Sequence, residues 1–89
     1  MSADNGIYIV RFPDGYRVAH LQAIENIDFY PAGSAERRQQ LKEYFGASPV
    51  FSVIRLAYEY AFKLQAEWLS EPDALLEYGV QFIGEYEAF

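Results

Sequence analysis

Cysteine is absent from this chain and histidine occurs once. Without thiols there are no disulfide staples, thiolate metal sites or cysteine nucleophiles, and a single imidazole leaves little for a zinc centre. No apolar run approaches the roughly 20 residues that a membrane-spanning helix needs, and the opening MSADNG carries neither a basic region nor a hydrophobic segment. The expectation is a soluble cytoplasmic protein with no membrane association. Basic residues are scarce too, seven against thirteen acids for a net charge of -6. Direct binding to nucleic acid is not expected, because recognition of a phosphate backbone rests on clustered Lys and Arg. The six glycines are dispersed rather than gathered in a phosphate-cradling loop, and no calcium-loop pattern occurs. No metal or other cofactor is therefore expected.

Hydrophobic residues are plentiful at 52%, enough for one core in 89 residues and for no second one. Residues 1–89 read as a single domain. Ile7 to Leu21 read as two strands joined by Pro13-Asp14-Gly15, the chemistry of a three-residue hairpin loop with glycine in the left-handed position. That loop sets Phe12 opposite Tyr16, Val10 opposite Val18 and Tyr8 opposite His20. The other face carries Ile7, Ile9, Ala19 and Leu21, with Arg11 beside Arg17. Gln22 to Gly33 read as irregular. Ser34 is a candidate N-cap for a short helix over 35–45, with Glu36 in its first turn and Gly46 past its end.

Pro49-Val50-Phe51 reads as a short extended segment, after which Ser52 can cap a longer helix reaching Leu69. In it Ile54, Ala57, Tyr58, Ala61, Leu64 and Trp68 recur at helical spacing, which predicts that Tyr58, Ala61, Leu64 and Trp68 face the sheet. Arg55, Glu59, Lys63 and Glu67 mark a solvated side. Residues 75–87 alternate with period two. Leu76, Tyr78, Val80, Phe82 and Tyr86 fall on one side and Glu77, Gln81, Ile83, Glu85 and Glu87 on the other. The apolar side is expected to extend the aromatic hairpin face and the acids to lie with Arg11 and Arg17. The predicted fold is α+β: a mainly antiparallel sheet of three or four strands, packed on one face by the long helix, with a second short helix.

MSADNGIYIV, GYRVAHLQAIENI, FGASPVFSVIRLAYEYAFKL and LLEYGVQFI together resemble small uncharacterised proteins of tailed bacteriophages and prophages. The resemblance spans most of the chain and transfers no activity. It implies an infected bacterial cytoplasm, where small acidic proteins bind and block host machinery, defence systems included.

For chemistry the residues offer little. His20 with Arg17 and Glu25 is the one acid-base grouping, and spacing along a strand and loop does not make a dyad. Tyr30, Tyr44, Tyr60 and Phe89 are candidate exposed aromatic anchors. The sharper asymmetry is electrostatic: after Lys63 come Glu67, Glu71, Asp73, Glu77, Glu85 and Glu87, without one base. Part of this charge can pair with Arg11 and Arg17, and the rest suits a basic partner surface. The reading is a non-enzymatic inhibitor or accessory factor that contacts a basic host protein through Glu71, Asp73, Glu77, Glu85 and Glu87. Two alternatives stand beside it: a homodimer joined through Ile7, Ile9, Ala19 and Ile83, and a small-ligand or nucleotide-sequestering protein with an aromatic pocket.

Overall fold

In the computed structural model, residues 5–22, 33–76 and 78–86 are described. Strands β1 (Asn5–Phe12) and β2 (Gly15–Gln22) form the hairpin, helix α1 (Ala35–Phe45) follows, then the two-residue strand β3 (Val50–Phe51), helix α2 (Ile54–Leu69) and strand β4 (Val80–Glu85). The sheet order is β3-β2-β1-β4. β2 runs antiparallel to β1 and β3, whereas β4 lies parallel to β1. The α+β class therefore holds, but the sheet is mixed, and the C-terminal strand covers 80–85 rather than 75–87. None of the described helices is long and apolar enough to cross a membrane.

The hairpin loop is two residues, Pro13-Asp14, not three. Phe12 pairs with Gly15, Val10 with Arg17, Ile9 with Val18 and Ile7 with His20. Gly15 opens β2 at a φ of 138°, and a Cβ there would stand 2.7 Å from the Phe51 carbonyl oxygen and from Val50 Cγ1. The close approach of β3 thus sets the register, a contact distant in sequence. Because strand side chains alternate, this one-residue shift moves Arg17 to the face opposite Arg11.

Both faces of the sheet are covered, not one. Tyr8, Val10, Phe12 and Ala19 pack against Leu41 and Phe45 of α1. Ile7, Ile9 and Val18 pack against Ala57 and Ala61 of α2. The aromatic face thus lies under the short helix and the isoleucine face under the long one, the reverse of the expected pairing. The run Ile7-Tyr8-Ile9-Val10 is almost wholly buried, as a strand with helices on both sides requires. The dimer face built on Ile7, Ile9, Ala19 and Ile83 is overturned: Ile7 and Ile9 are fully buried beneath α2, and Ala19 and Ile83 belong to the opposite layer.

Local signals place the helices. Ser34 Oγ accepts a hydrogen bond from the Arg37 backbone N–H at 3.1 Å, and α1 ends before Gly46. At α2 the N-cap is Val53, with no side-chain cap bond, rather than Ser52. A bulge in the β1–β4 ladder shifts the pairing from Ile9–Phe82 to Val10–Gly84. Ahead of the bulge, Val80 pairs with Ile7 and Phe82 with Ile9, so both extend the Ile7/Ile9 face, not the aromatic one. Past the bulge Glu85 lands beside Arg11, and Tyr86 stacks on Phe12 with ring centroids 5.0 Å apart.

Candidate protein-binding surface

Asn5, which opens β1, is 1% exposed. A buried amide needs its partners, and here they organise one end of the molecule. Its Nδ2 donates to the Leu75 carbonyl at 2.8 Å and lies 3.1 Å from His20 Nε2. Since the amide nitrogen only donates, Nε2 is the acceptor, and the neutral ring carries its proton on Nδ1. The Asn5 backbone carbonyl accepts from the Tyr78 N–H at 3.0 Å. From the other side, Trp68 Nε1 donates to the same Leu75 carbonyl at 2.7 Å, and the indole meets the His20 ring edge-on at 4.5 Å between centroids. Removal of water from around His20 lowers its pKa from 6.5.

Trp68 meets the sheet at its open end, through His20 of β2, without being buried there. It lies on the last turn of α2, where it turns onto His20 and remains 40% exposed, while Ala57 and Ala61 make the buried contact. Leu69, next to Trp68 in the chain, and Leu75, whose carbonyl the indole bonds, are 47% and 56% exposed, whereas Tyr78 leans to the Tyr8 face, its Cβ 3.0 Å from where a Gly6 Cβ would stand. Single exposed apolar residues are ordinary; Trp68, Leu69 and Leu75 together at the end of α2 make an apolar patch. Glu67, Glu71 and Asp73 are all exposed beside it. The segment between helix and β4 is held in shape by Ser70 Oγ donating to the Glu67 carbonyl at 2.7 Å and the Ala74 N–H donating to the Glu71 carbonyl at 3.2 Å. The arrangement is an apolar centre with an acidic rim.

Among the sequence-predicted contact residues, Glu71 and Asp73 stand on this rim. Glu85 lies at the opposite end of the sheet, where its carboxylate pairs with Arg11 at 3.2 Å, both side chains being more than half exposed. Glu77 and Glu87 fall outside the described residues. The acids are thus split between two ends rather than gathered on one strand face. Arg17 pairs with none of them. Its Nη2 donates to Asp14 at 2.8 Å and its Nη1 to the carbonyls of Phe45, Gly46 and Ser48.

The grouping of His20 with Arg17 separates, because the two side chains lie on opposite faces of β2, and Glu25 falls outside the described residues. Tyr44 packs half-buried on the α1 core and Tyr60 lies half-buried against Phe51 at 5.2 Å between centroids, so neither is an open anchor. Tyr30 and Phe89 fall outside the described residues. Among the described residues the exposed Phe, Tyr and Trp side chains are Trp68 and Tyr78, together with Phe62 on α2 and Phe82 on the edge strand β4. Trp68 was hidden by its helical spacing, which matches a core stripe. The signal that finds it is position: a residue on the last helical turn, ahead of Ser70-Glu71-Pro72, packs on the end of the sheet, where part of its ring stays open. No protein-family model matches this chain, and neither a curated protein nor a solved structure is significantly similar to it.

Proposed function

We propose that this chain is a non-catalytic protein-binding factor, an inhibitor or accessory protein of the phage type, that engages a basic surface of a host protein in the bacterial cytoplasm. The observation that carries this reading is the exposed apolar group Trp68, Leu69 and Leu75 with the exposed acids Glu67, Glu71 and Asp73 in the same stretch of chain. An apolar centre desolvated on contact supplies most of the affinity, with large aromatic side chains as hot spots, while charges at the rim set orientation and association rate. Host defence machinery that handles nucleic acid carries basic surfaces of this kind, and the resemblance to phage proteins gives the cellular setting. The test is a photo-crosslinking amino acid placed at Leu75 or, as control, at the exposed Gln39 of α1, in bacterial cells expressing the full chain. A single basic protein crosslinked from 75 and not from 39 supports the reading. Equal labelling from both positions overturns it.

Self-association is the second reading. It no longer rests on the buried sheet face but on β4, an edge strand among the described residues, which carries the exposed Phe82. A free strand edge is a template for pairing with another chain. Light scattering that gives twice the monomer mass, reversed by Phe82→Lys, is the result expected of that reading.

A further inference from the structure

The other end of the molecule carries a feature that protein binding at the acidic patch leaves unused. A cleft of about 370 Å³ opens between the hairpin turn, the end of α1 and Tyr86. One wall is the stacked pair Phe12 and Tyr86, continued by Pro13. Two cations stand over this pair: the Arg17 guanidinium 5.4 Å from the centroid of the Phe12 ring and Lys42 Nζ 5.8 Å from that of Tyr86. In a chain of net charge -6, their convergence on one apolar cleft needs an account.

Arg17 is held in place by its bonds to Asp14 and to the carbonyls that follow α1, and its side chain is only 18% exposed. Asp14 compensates one positive charge. Lys42 has no carboxylate partner among the described residues, so the described lining carries one net positive charge. Among the described residues Arg17 also keeps N–H groups beyond its bonds to Asp14 and the three carbonyls, since a guanidinium offers five donors in a fixed plane. An apolar wall with a fixed donor and an unpaired ammonium at its rim is the chemistry of a site for a ring that bears an anionic group.

We propose that this cleft binds a small aromatic anion, its ring against Pro13, Phe12 and Tyr86 and its carboxylate or phosphate toward Lys42 and Arg17. The site lies at the turn end of the hairpin, about 20 Å along the strand from His20, on which Trp68 packs, and is independent of the acidic patch.

The test is titration of the full chain, followed by amide NMR, with phenyl phosphate and with benzoate, which separate the two anion sources. Benzyl alcohol supplies the ring alone and inorganic phosphate the charge alone. The expected result is saturable movement of the Asp14, Gly15 and Gly46 signals with at least one aromatic anion, with the Trp68 indole signal unmoved. Each single-feature probe should bind about tenfold more weakly or worse. Lys42→Ala should weaken the aromatic anion about tenfold and Lys42→Arg should retain it, and because Lys42 is exposed neither change should alter folding. Absence of saturation below about 10 mM overturns the proposal. So does benzyl alcohol or inorganic phosphate binding as well as the aromatic anion, or an unchanged affinity in Lys42→Ala.

Discussion

Asn5 and His20 are joined across the open end of the hairpin, with the asparagine amide donating to the unprotonated ring nitrogen of the histidine at 3.1 Å. A proton on Nε2 removes the acceptor and sets two donors against each other. Asn5 cannot turn its amide to compensate without surrendering the Leu75 carbonyl, bonded at 2.8 Å. The histidine is thereby tied to the loop that carries the acidic rim.

Stability should therefore depend on pH in a defined direction. His20 has a folded-state pKa below its ordinary 6.5 through desolvation, so as pH falls the unfolded chain takes up the proton first. Stability from this group is complete above 6.5, declines as pH drops from 6.5 through the folded value, and loses nothing further below it. Melting temperature measured from pH 8 to pH 5 should fall more in the parent than in His20→Gln. An identical profile for the two proteins contradicts the assignment.

Truncation of the two aromatic side chains should separate core from surface. Phe45 is fully buried against Phe12 and the α1 layer, so Phe45→Ala should cost about 3 to 5 kcal/mol in chemical denaturation. Trp68 is 40% exposed and mainly contacts His20 and Leu75, so Trp68→Ala should cost less, about 1 to 2 kcal/mol. Equal losses would place Trp68 in the core after all.

The hairpin register depends on Gly15. A Cβ there meets β3 at 2.7 Å and φ is positive, whereas at Gly33, where φ is 80°, a Cβ meets nothing within 4 Å. Gly15→Val should lower stability by more than about 2 kcal/mol, and Gly33→Ala by about 1 kcal/mol from backbone strain alone. Thermal melts of the two variants decide the point.

These residues also mark how far the sequence is legible. Ser34 and Gly46 bound α1 correctly because capping is local chemistry within one turn. The hairpin is found for the same reason, but Pro13-Asp14-Gly15 admits loops of two or three residues, and the choice falls to Phe51, which is 36 residues beyond Gly15. Ile7-Tyr8-Ile9-Val10 carried the signal of a strand covered on both sides, and reading it as two alternating faces hid the second layer. The expected side for Glu85 holds, since it pairs with Arg11, but the parallel register and the bulge at Ile9/Val10 that bring it there are invisible to a period-two pattern. Of the candidate site, the rim acids Glu71 and Asp73 were legible from charge alone. Its apolar centre was not, since a helical stripe does not state where the sheet beneath it ends.

The central claim is that the acidic-rimmed patch, and not acidity in general, meets a basic partner. Its most direct measurement is the association rate of the protein crosslinked from position 75, followed at low and physiological salt. Exposed complementary charges act chiefly on this rate and are screened within about 8 Å at physiological salt. The doubly reversed chain, Glu71→Lys with Asp73→Lys, should associate about tenfold more slowly at low salt and lose most of its salt dependence. Glu85→Lys, at the far end and already paired with Arg11, should leave the rate unchanged. An unchanged rate and salt dependence in the double reversal, or an equal slowing by Glu85→Lys, contradicts the account.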